Sequence, residues 1–228
     1  MDLPYAVAFT LALVAAYLVG SLSFAVIVSR LMGLADPRSY GSHNPGATNV
    51  LRSGKRSAAV LTLALDVLKG YLPVLAVLVW GPAWGLGAGA AAWVGVAAFV
   101  GHVWPVFFRF EGGKGVATAA GVLFALNPLL GVATLASWAI VAFFLRYVSL
   151  ASIVAALFAP FYQLLIWGPG FAVLPIALMS LLLVWRHEPN IRKLLAGTES
   201  RLGQRAMPPP ATPGGTGGAH GGHRRKSR

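Results

Sequence analysis

The chain has 228 residues, of which 57% are hydrophobic and only 11% are charged, and its formal net charge is +12. This composition is typical of integral membrane proteins rather than soluble domains, so the positive charge indicates membrane topology and not nucleic-acid binding. The chain has no cysteine, which excludes disulfides and thiolate chemistry.

Seven apolar stretches follow one another along the chain, and most approach the roughly 20 residues that a membrane-spanning helix needs. They run over residues 4–30, 57–79, 85–108, 116–127, 129–145, 148–167 and 170–185. Turn signals at Gly81-Pro82, Asn127-Pro128 and Gly168-Pro169 separate several of them. No basic segment precedes the first stretch, so we expect a retained span rather than a cleaved signal.

The stretch over 116–127 is short for a span, because it covers only about 18 Å at the helical rise. It predicts either a thinned or tilted helix or one arm of a re-entrant hairpin. Seven crossings would place every Lys and Arg except Lys69 on the side of the C-terminus. Six crossings would put the basic tail opposite the basic first loop, against the positive-inside tendency. We therefore predict an all-α integral membrane protein with seven transmembrane helices, N-terminus out, C-terminus in, and an active site at the cytoplasmic face.

The first polar cluster lies in the loop YGSHNPGATNVLRSGKR at residues 40–56. Glycines let backbone N–H groups approach an anion, and Ser, Thr and Asn side chains add hydrogen bonds. Arg52 offers the planar fork that matches phosphate oxygens. A helix starting between Asn44 and Thr48 would also direct its amino end at the anion. The alternative is a capped turn that enters a helix.

The second polar cluster is Gly101-His102 followed by Glu111-Gly112-Gly113-Lys114-Gly115, which leads into a predicted helix at Val116. A Gly-rich turn that carries a lysine and opens a helix favours phosphate binding. It is not a Walker A loop, because Gly115 rather than Ser or Thr follows the lysine. The alternative is a tight turn between helices in which Lys114 only sets topology.

The third polar cluster, RHEPNIRKLLAGTE at residues 186–199, follows the last apolar stretch. His187 and Asn190 would share a face if this segment is helical, although Pro189 leaves the geometry open. A basic stop after a membrane helix is the alternative, favoured for Arg192 and Lys193. Arg146, Ser149 and Ser152 fall at the turn between the fifth and sixth stretches, where they could supply further phosphate contacts.

Two charged residues, Asp66 and Lys69, lie inside the second stretch at a spacing of three. Intramembrane ionisable groups are candidates for function, but a neutralising structural pair is an equal alternative. The final residues, 207–228, form a Pro/Gly-rich basic tail that we expect to be disordered. The predicted domain plan is a membrane domain at 1–206 followed by this tail, whose His220 and His223 do not make a convincing metal site.

Several enzyme classes are excluded by missing signatures. No Ser-His-Asp arrangement with a nucleophile elbow and no carboxylate pair poised for metal-dependent hydrolysis is evident. The His-x4-Asp motif of common glycerolipid acyltransferases is absent, as is the aspartate-rich signature of CDP-alcohol phosphotransferases. The residues thus predict a site for phosphorylated ligands beside a membrane lipid, with no metal, cofactor, nucleotide or nucleic acid.

Three motifs together resemble one family. GSHNPGATNVLR at 41–52, GHVWPVFFRFEGGKGVAT at 101–118 and RHEPNIRKLLAGTE at 186–199 look like those of the bacterial acyl-phosphate:glycerol-3-phosphate acyltransferases, the PlsY type. The resemblance covers residues 4 to 205 in motif order, spacing and number of spans. His43, Pro45 and the long tail depart from the pattern. The resemblance implies acyl transfer from acyl phosphate to the 1-hydroxyl of glycerol 3-phosphate in the bacterial inner membrane, the first step of phospholipid biosynthesis.

The same resemblance implies roles for individual residues. Catalytic positions would be Ser42, Arg52, Lys114, His187 and Asn190. Substrate-binding positions would be Gly41, Asn44, Gly46, Thr48, Asn49, Gly112, Gly113, Gly115, Arg146, Ser149, Ser152 and Glu199, the last more as a brace than as a reactive group. The first motif would hold one phosphate and the second would bind glycerol 3-phosphate. The family is thought to use the substrate phosphate as the base, with His187 as the rival.

Two other functions stay open at this point. A phosphate-ester transporter would need polar residues spread through the membrane depth or an internal repeat, and neither is evident. An acyltransferase of the same geometry could use acyl-CoA, although no nucleotide-binding signature favours it.

Overall fold

The computed structural model describes residues 3–202, and every regular element in that range is helical. The α-helices are α1 Leu3–Gly20, α2 Phe24–Leu31, α3 Ala47–Leu51, α4 Arg56–Trp80, α5 Ala88–Val103, α6 Val116–Leu126, α7 Pro128–Leu145, α8 Val148–Trp167, α9 Val173–Arg186 and α10 Glu188–Leu195. Short 3₁₀ turns occur at Gly81–Trp84 and Val106–Phe108. The predicted tail at 207–228 lies outside the described residues.

All seven apolar stretches form helices, but their lengths differ. Within residues 3–202, four helices are long and apolar enough to cross a membrane, and α1 with α2 adds a fifth if this bent pair is one span. The apolar helices α6 and α9 are shorter, with 11 and 14 residues. A total of seven crossings, and the side on which each end lies, stay predictions.

The first stretch, predicted as one span over 4–30, is broken between α1 and α2, whose axes differ by 43°. At the break the amide of Val26 bonds to Ser23 O, so the carbonyl of Leu22 loses its usual helical partner. The Lys69 ammonium donates to Leu22 O over 2.7 Å instead. A buried lysine on α4 thus satisfies a carbonyl that an apolar environment would otherwise leave unpaired.

Glycines allow two pairs of helices to approach closely. A Cβ on Gly70 of α4 would clash with Thr118 O of α6, and one on Gly121 of α6 would clash with Val67 O of α4. Gly20 and Gly101 make equivalent approaches between α1 and α5. Small residues at helix contacts are the usual basis of packing in membranes, where no water drives helices together.

The outer surface of the bundle is apolar. Phe143 and Phe144 on α7 are 77% and 73% exposed, and large aliphatic side chains are exposed along α1, α4 and α8. Such a surface fits hydrocarbon rather than water, and it leaves the polar side chains to the loops at one end and to a few interior positions.

The loops after α2, after α5 and after α9 meet at one end of the bundle. Arg38 in the first loop lies 3.5 Å from Glu111 in the second. Arg186, at the end of α9, donates to the carbonyls of Gly112 and Gly113. The three polar motifs are therefore neighbours in space although about 60 to 150 residues separate them in sequence.

Candidate functional site

Asn49 organises the first loop. Its Oδ1 accepts from Ser42 N at 3.0 Å, and its Nδ2 donates to Pro37 O and Tyr40 O at 2.6 and 3.1 Å. Gly41 has a φ of 62°, and a Cβ there would clash with Asn49 Oδ1. Since Asn49 is buried, its amide is a structural centre around which the loop backbone folds.

The other predicted residues of this loop differ in their exposure. Ser42 and Thr48 are exposed, while Asn44 and Gly46 are partly buried. Gly46 precedes α3, which does begin within the predicted interval but has only five residues. A helix this short would add little to the binding of an anion, which leaves the backbone amides and side chains of the loop as the groups able to attract one.

Arg52 is exposed at the end of α3 and reaches the segment that follows α10. Its guanidinium lies 3.4 Å from the Ser200 hydroxyl. The positive charge of Arg52 also contributes to lowering the pKa of Lys114, after the larger effect of burial. The positive potentials of the two cations therefore overlap, and both would attract an anionic ligand placed between them.

The second loop is held tightly on both sides. Gly113 N donates to His102 O at 3.1 Å, and Arg186 donates to Gly112 O at 3.1 Å and to Gly113 O at 3.3 Å. Gly115, with a φ of 83°, packs so closely against Phe99 that a Cβ would clash with the ring. The glycines are required by this close approach, and they fix the backbone on which Lys114 stands.

Four predicted residues form one continuous chain of hydrogen bonds. Lys114 Nζ donates to Asn190 Oδ1 at 2.5 Å, and Asn190 Nδ2 donates to Glu199 Oε1 at 2.8 Å. The same Glu199 oxygen accepts from Ser149 Oγ at 2.8 Å. Glu199 thus contacts both Ser149 and the asparagine that meets the lysine. The bracing role that the resemblance implied for it stays a prediction.

Burial lowers the pKa of Lys114 to about 8, and the negative charge of Glu199 opposes this effect. A lysine in this range is mostly charged at neutral pH but is only weakly hydrated. Its charge is available to a phosphate at a smaller desolvation cost than a fully solvated lysine would incur.

His187 is fully enclosed between α9 and α10. Its Nδ1 lies 2.8 Å from Leu183 O, which places the proton on that nitrogen. Burial, followed by the charge of Lys114, lowers the pKa of His187 to about 4, so its imidazole is neutral at pH 7. Asn190 N bonds to His187 O, so His187 caps the start of α10 at Glu188 and the helix continues through Pro189, which settles the geometry that the sequence left open.

Arg146, Ser149 and Ser152 make internal contacts. Arg146 donates to Leu202 O at 3.0 Å. Ser152 donates to Val148 O and accepts from Trp138 Nε1 at 3.1 Å. The two serines lie in the first turns of α8 rather than in the turn before it, and they are buried. The Ser149 hydroxyl connects α8 to Glu199, and the Ser152 hydroxyl connects α8 to Trp138 of α7.

Arg186 and His102 adjoin the site but were not among its predicted residues. Arg186 was included in the third polar cluster, where the alternative was a basic stop, and His102 was noted only in the second motif. Both contact the backbone of Gly112 or Gly113. The position of Arg186 next to His187 in the sequence could have identified it. The contact of His102 depends on how α5 packs against the second loop, which the sequence does not show.

The chemical character of the site is cationic. The positive charges of Lys193, Arg186 and Arg52 all act on Lys114, and the negative charge of Glu199 opposes them. Within residues 3–202, no three His, Asp or Glu side chains are grouped as metal ligands would be. Converging cations and loop amides can bind phosphate groups and stabilise negative charge that develops during a reaction.

Comparison with known proteins assigns a family. Residues 10–197 match the family model described as glycerol-3-phosphate acyltransferase. A glycerol-3-phosphate acyltransferase of Paraburkholderia phytofirmans is 62% identical over 192 residues, which are 84% of this chain and 90% of that protein. One from a Janthinobacterium species is 60% identical over 190 residues, covering 83% of this chain and 94% of the relative.

The fold is also similar to solved structures. The crystal structure of PlsY, an integral membrane glycerol 3-phosphate acyltransferase, in its glycerol 3-phosphate form superposes with a TM-score of 0.80. It is 37% identical, and the match covers 86% of this chain and 96% of that one. The lysophosphatidic acid form of the same protein gives a TM-score of 0.79.

Proposed function

The chain belongs to the glycerol-3-phosphate acyltransferase family, and we propose that it takes its acyl group from an acyl phosphate. The acceptor is the 1-hydroxyl of glycerol 3-phosphate, and the products are lysophosphatidic acid and inorganic phosphate. Support comes from the similarity to PlsY, whose crystal structures are of a glycerol 3-phosphate form and a lysophosphatidic acid form. The observation that carries the proposal is the convergence of two phosphate-compatible loops beside Lys114 and Arg52.

The reaction is an acyl transfer between two oxygens. The acceptor hydroxyl attacks the acyl carbon, a new C–O ester bond forms, and the C–O bond to phosphate breaks. The hydroxyl proton passes to a phosphate oxygen, and the departing group is inorganic phosphate. An acyl phosphate is a mixed anhydride with a good leaving group, so a protein nucleophile is not required and positioning with charge neutralisation supplies the acceleration.

The two loops take different substrates in this proposal. The first loop, with Ser42, Asn44, Gly46 and Asn49, holds the acyl phosphate together with Arg52. The second loop holds glycerol 3-phosphate through Lys114, helped by Asn190, His187 and Ser152. Since the pKa of His187 is lowered to about 4, a substrate phosphate is the stronger base at neutral pH.

The membrane arrangement is part of the proposal. Residues 1–206 form the membrane domain in the bacterial inner membrane, with seven crossings, the N-terminus out and the site at the cytoplasmic face. All Lys and Arg residues except Lys69 then lie on the cytoplasmic side. Water-soluble glycerol 3-phosphate reaches the site from that side. The acyl chain and the product stay in the lipid beside the apolar helix surfaces.

The decisive measurement is phosphate release by the purified full-length chain in detergent or lipid, with palmitoyl phosphate and glycerol 3-phosphate. Release should require both compounds and should accompany lysophosphatidic acid formation. Palmitoyl-CoA replaces palmitoyl phosphate in a second reaction. Product from the CoA compound alone would contradict the proposed donor, and no product from folded protein would contradict the reaction.

Variants test the residue assignment in the same assay. Arg52→Ala and Lys114→Ala should each lower kcat/KM strongly, because each removes a charge placed to meet phosphate. Arg30→Ala is the matched control, since Arg30 is an exposed cation at the end of α2 outside the site. Normal turnover by folded Arg52→Ala or Lys114→Ala would refute the role of that residue.

A further inference from the structure

Three ionisable residues and a threonine form a buried group inside the bundle, behind the second loop. Asp66 and Lys69 of α4 are 2% and 3% exposed, and their charged atoms are 2.8 Å apart. His102 of α5 places Nδ1 at 3.7 Å from the same Asp66 oxygen and at 3.3 Å from Thr118 Oγ1 on α6. The proposed reaction uses none of these groups.

The burial of Asp66, Lys69 and His102 away from water is energetically unfavourable and needs an explanation. Removing a charged side chain from water carries a free-energy cost that an ion pair offsets only in part. Lys69 is accounted for, because it satisfies Leu22 O at the break in the first span and neutralises Asp66. Holding Leu22 O does not require a histidine on α5, so His102 and its contact with Asp66 call for a separate explanation.

The contacts of His102 lead to the glycerol 3-phosphate loop. Its carbonyl accepts from Gly113 N at 3.1 Å. The ring lies directly against Gly113, where a Cβ would clash with Nε2 and Cε1, and a Cβ on Gly112 would clash with His102 O. Asp66 next to Nδ1 favours the proton on that nitrogen, which fixes the ring orientation that the glycines contact.

Arg186 adds two further contacts to the same backbone. It donates to Gly112 O and Gly113 O, so the peptide before Lys114 is held between an imidazole and a guanidinium. The next residue directs its ammonium at Asn190 over 2.5 Å. A change in the His102 ring therefore displaces the backbone that sets the Lys114 position, even though His102 does not touch Lys114 Nζ.

We propose that Asp66 and His102 are positioning residues that hold the Gly112–Lys114 backbone in the geometry that binds glycerol 3-phosphate. This proposal rests on the proposed function, because it assigns the pair a role toward one of that reaction's two substrates. Thr118 supplies the second contact to Nδ1, and Lys69 pairs with Asp66 and holds it in place.

The test separates the two substrates kinetically in the full-length protein. His102→Leu should raise KM for glycerol 3-phosphate about tenfold, with kcat and the palmitoyl phosphate KM changing less than about twofold. Asp66→Asn should raise the same KM by a smaller factor, because the ring keeps its contact with Gly113 but loses the facing charge. Thr62→Val is the matched control: Thr62 is as buried as Asp66, lies one turn away on α4, and its hydroxyl bonds to no residue within 3–202.

A second experiment tests the contact itself. Gly113→Ala should raise KM for glycerol 3-phosphate because its Cβ clashes with the His102 ring. In the double variant with His102→Asn, the shorter side chain leaves room for that Cβ, so the two effects should be clearly less than multiplicative. This cycle decides the question even if His102→Leu does not fold.

The outcomes are distinct. Three results would each overturn the positioning role and leave the proposed reaction unaffected. They are an unchanged glycerol 3-phosphate KM in folded His102→Leu, an equal rise in the KM values of both substrates, and multiplicative effects in the double-variant cycle. A wild-type chain that releases no phosphate would overturn the proposed function first and this role with it. Selective loss of glycerol 3-phosphate affinity with Thr62→Val unaffected is the supporting result.

Discussion

Lys114 Nζ meets Asn190 Oδ1 over 2.5 Å, joining the loop before α6 to the first turn of α10 across 76 positions of sequence. The contact places a partly dehydrated ammonium beside an amide that Glu199 orients from its other side. A phosphate that binds Lys114 therefore meets a cation already fixed in direction, which lowers the ordering cost of binding.

The ionisation of Lys114 predicts a pH dependence. Below a pKa of about 8 the ammonium is protonated and attracts phosphate, and above it the charge and the attraction are lost. The kcat/KM for glycerol 3-phosphate should therefore fall above pH 8, approaching tenfold per pH unit, since this ratio reports the free enzyme. Lys114→Arg stays charged and should flatten that limb. A wild-type profile that is level to pH 9.5 would contradict the prediction.

The environment of His187 predicts that it is not the base. Removing a general base typically costs about 10²- to 10⁴-fold in kcat. His187→Asn, which keeps a donor able to reach Leu183 O, should lower kcat by less than about tenfold and act mainly on the glycerol 3-phosphate KM. Steady-state kinetics of this variant against His187→Ala is the measurement. A loss of about a thousandfold in kcat in folded His187→Asn would restore the histidine as base.

The amide of Asn49 predicts a structural cost for the first loop. Asn49→Ala removes three hydrogen bonds and leaves Ser42 N, Pro37 O and Tyr40 O without them. Unsatisfied buried groups cost about 1–3 kcal/mol each, so the thermal midpoint should drop and KM for palmitoyl phosphate should rise. Ser39→Ala, which loses one exposed bond to Asp36 O, is the control and should change neither. Equal behaviour of the two variants would argue against Asn49 as the centre of the loop.

Two truncations should behave in opposite ways. A chain that ends at Ala206 lacks only the predicted tail and should keep full activity. A chain that ends at Gly197 also loses the Glu199 contacts with Ser149 and Asn190 and the Leu202 contacts with Arg146. It should lose activity because Asn190 is no longer oriented toward Lys114. Phosphate release by both purified proteins is the measurement, and similar rates would contradict the bracing role.

The predicted topology is testable because the natural chain contains no cysteine. Ser53→Cys lies in the exposed first loop, and Ala83→Cys lies in the exposed turn between α4 and α5. A membrane-impermeant maleimide applied to intact cells should label Ala83→Cys and leave Ser53→Cys unlabelled until the cells are opened. The reverse labelling pattern would show that the membrane orientation is opposite to the predicted one. Labelling of both cysteines from outside would contradict a single crossing by α4 between them.

The sequence by itself determined which stretches are apolar and helical, several turns between them and the family, but not the break between α1 and α2. Hydropathy and the Gly-Pro and Asn-Pro pairs are local properties, so the seven apolar stretches and the turns at Gly81, Asn127 and Gly168 are present in the structure. The family also followed from sequence, because the three motifs keep their order and spacing. A neutralising pair of Asp66 and Lys69 was one of two alternatives left open by the sequence. The structure shows this pair, because a spacing of three on a helix brings side chains together.

Only the tertiary structure decided what those polar groups contact. The break at residues 21–23 is satisfied by a lysine 47 positions away, and Arg186 holds glycines more than 70 positions earlier. Such contacts depend on which helix faces approach, and small residues such as Gly70 and Gly121 set that approach across the bundle. Sequence patterns report the period of one helix, whereas the position of Lys114 depends on the packing of α4, α5, α6 and α9 against one another.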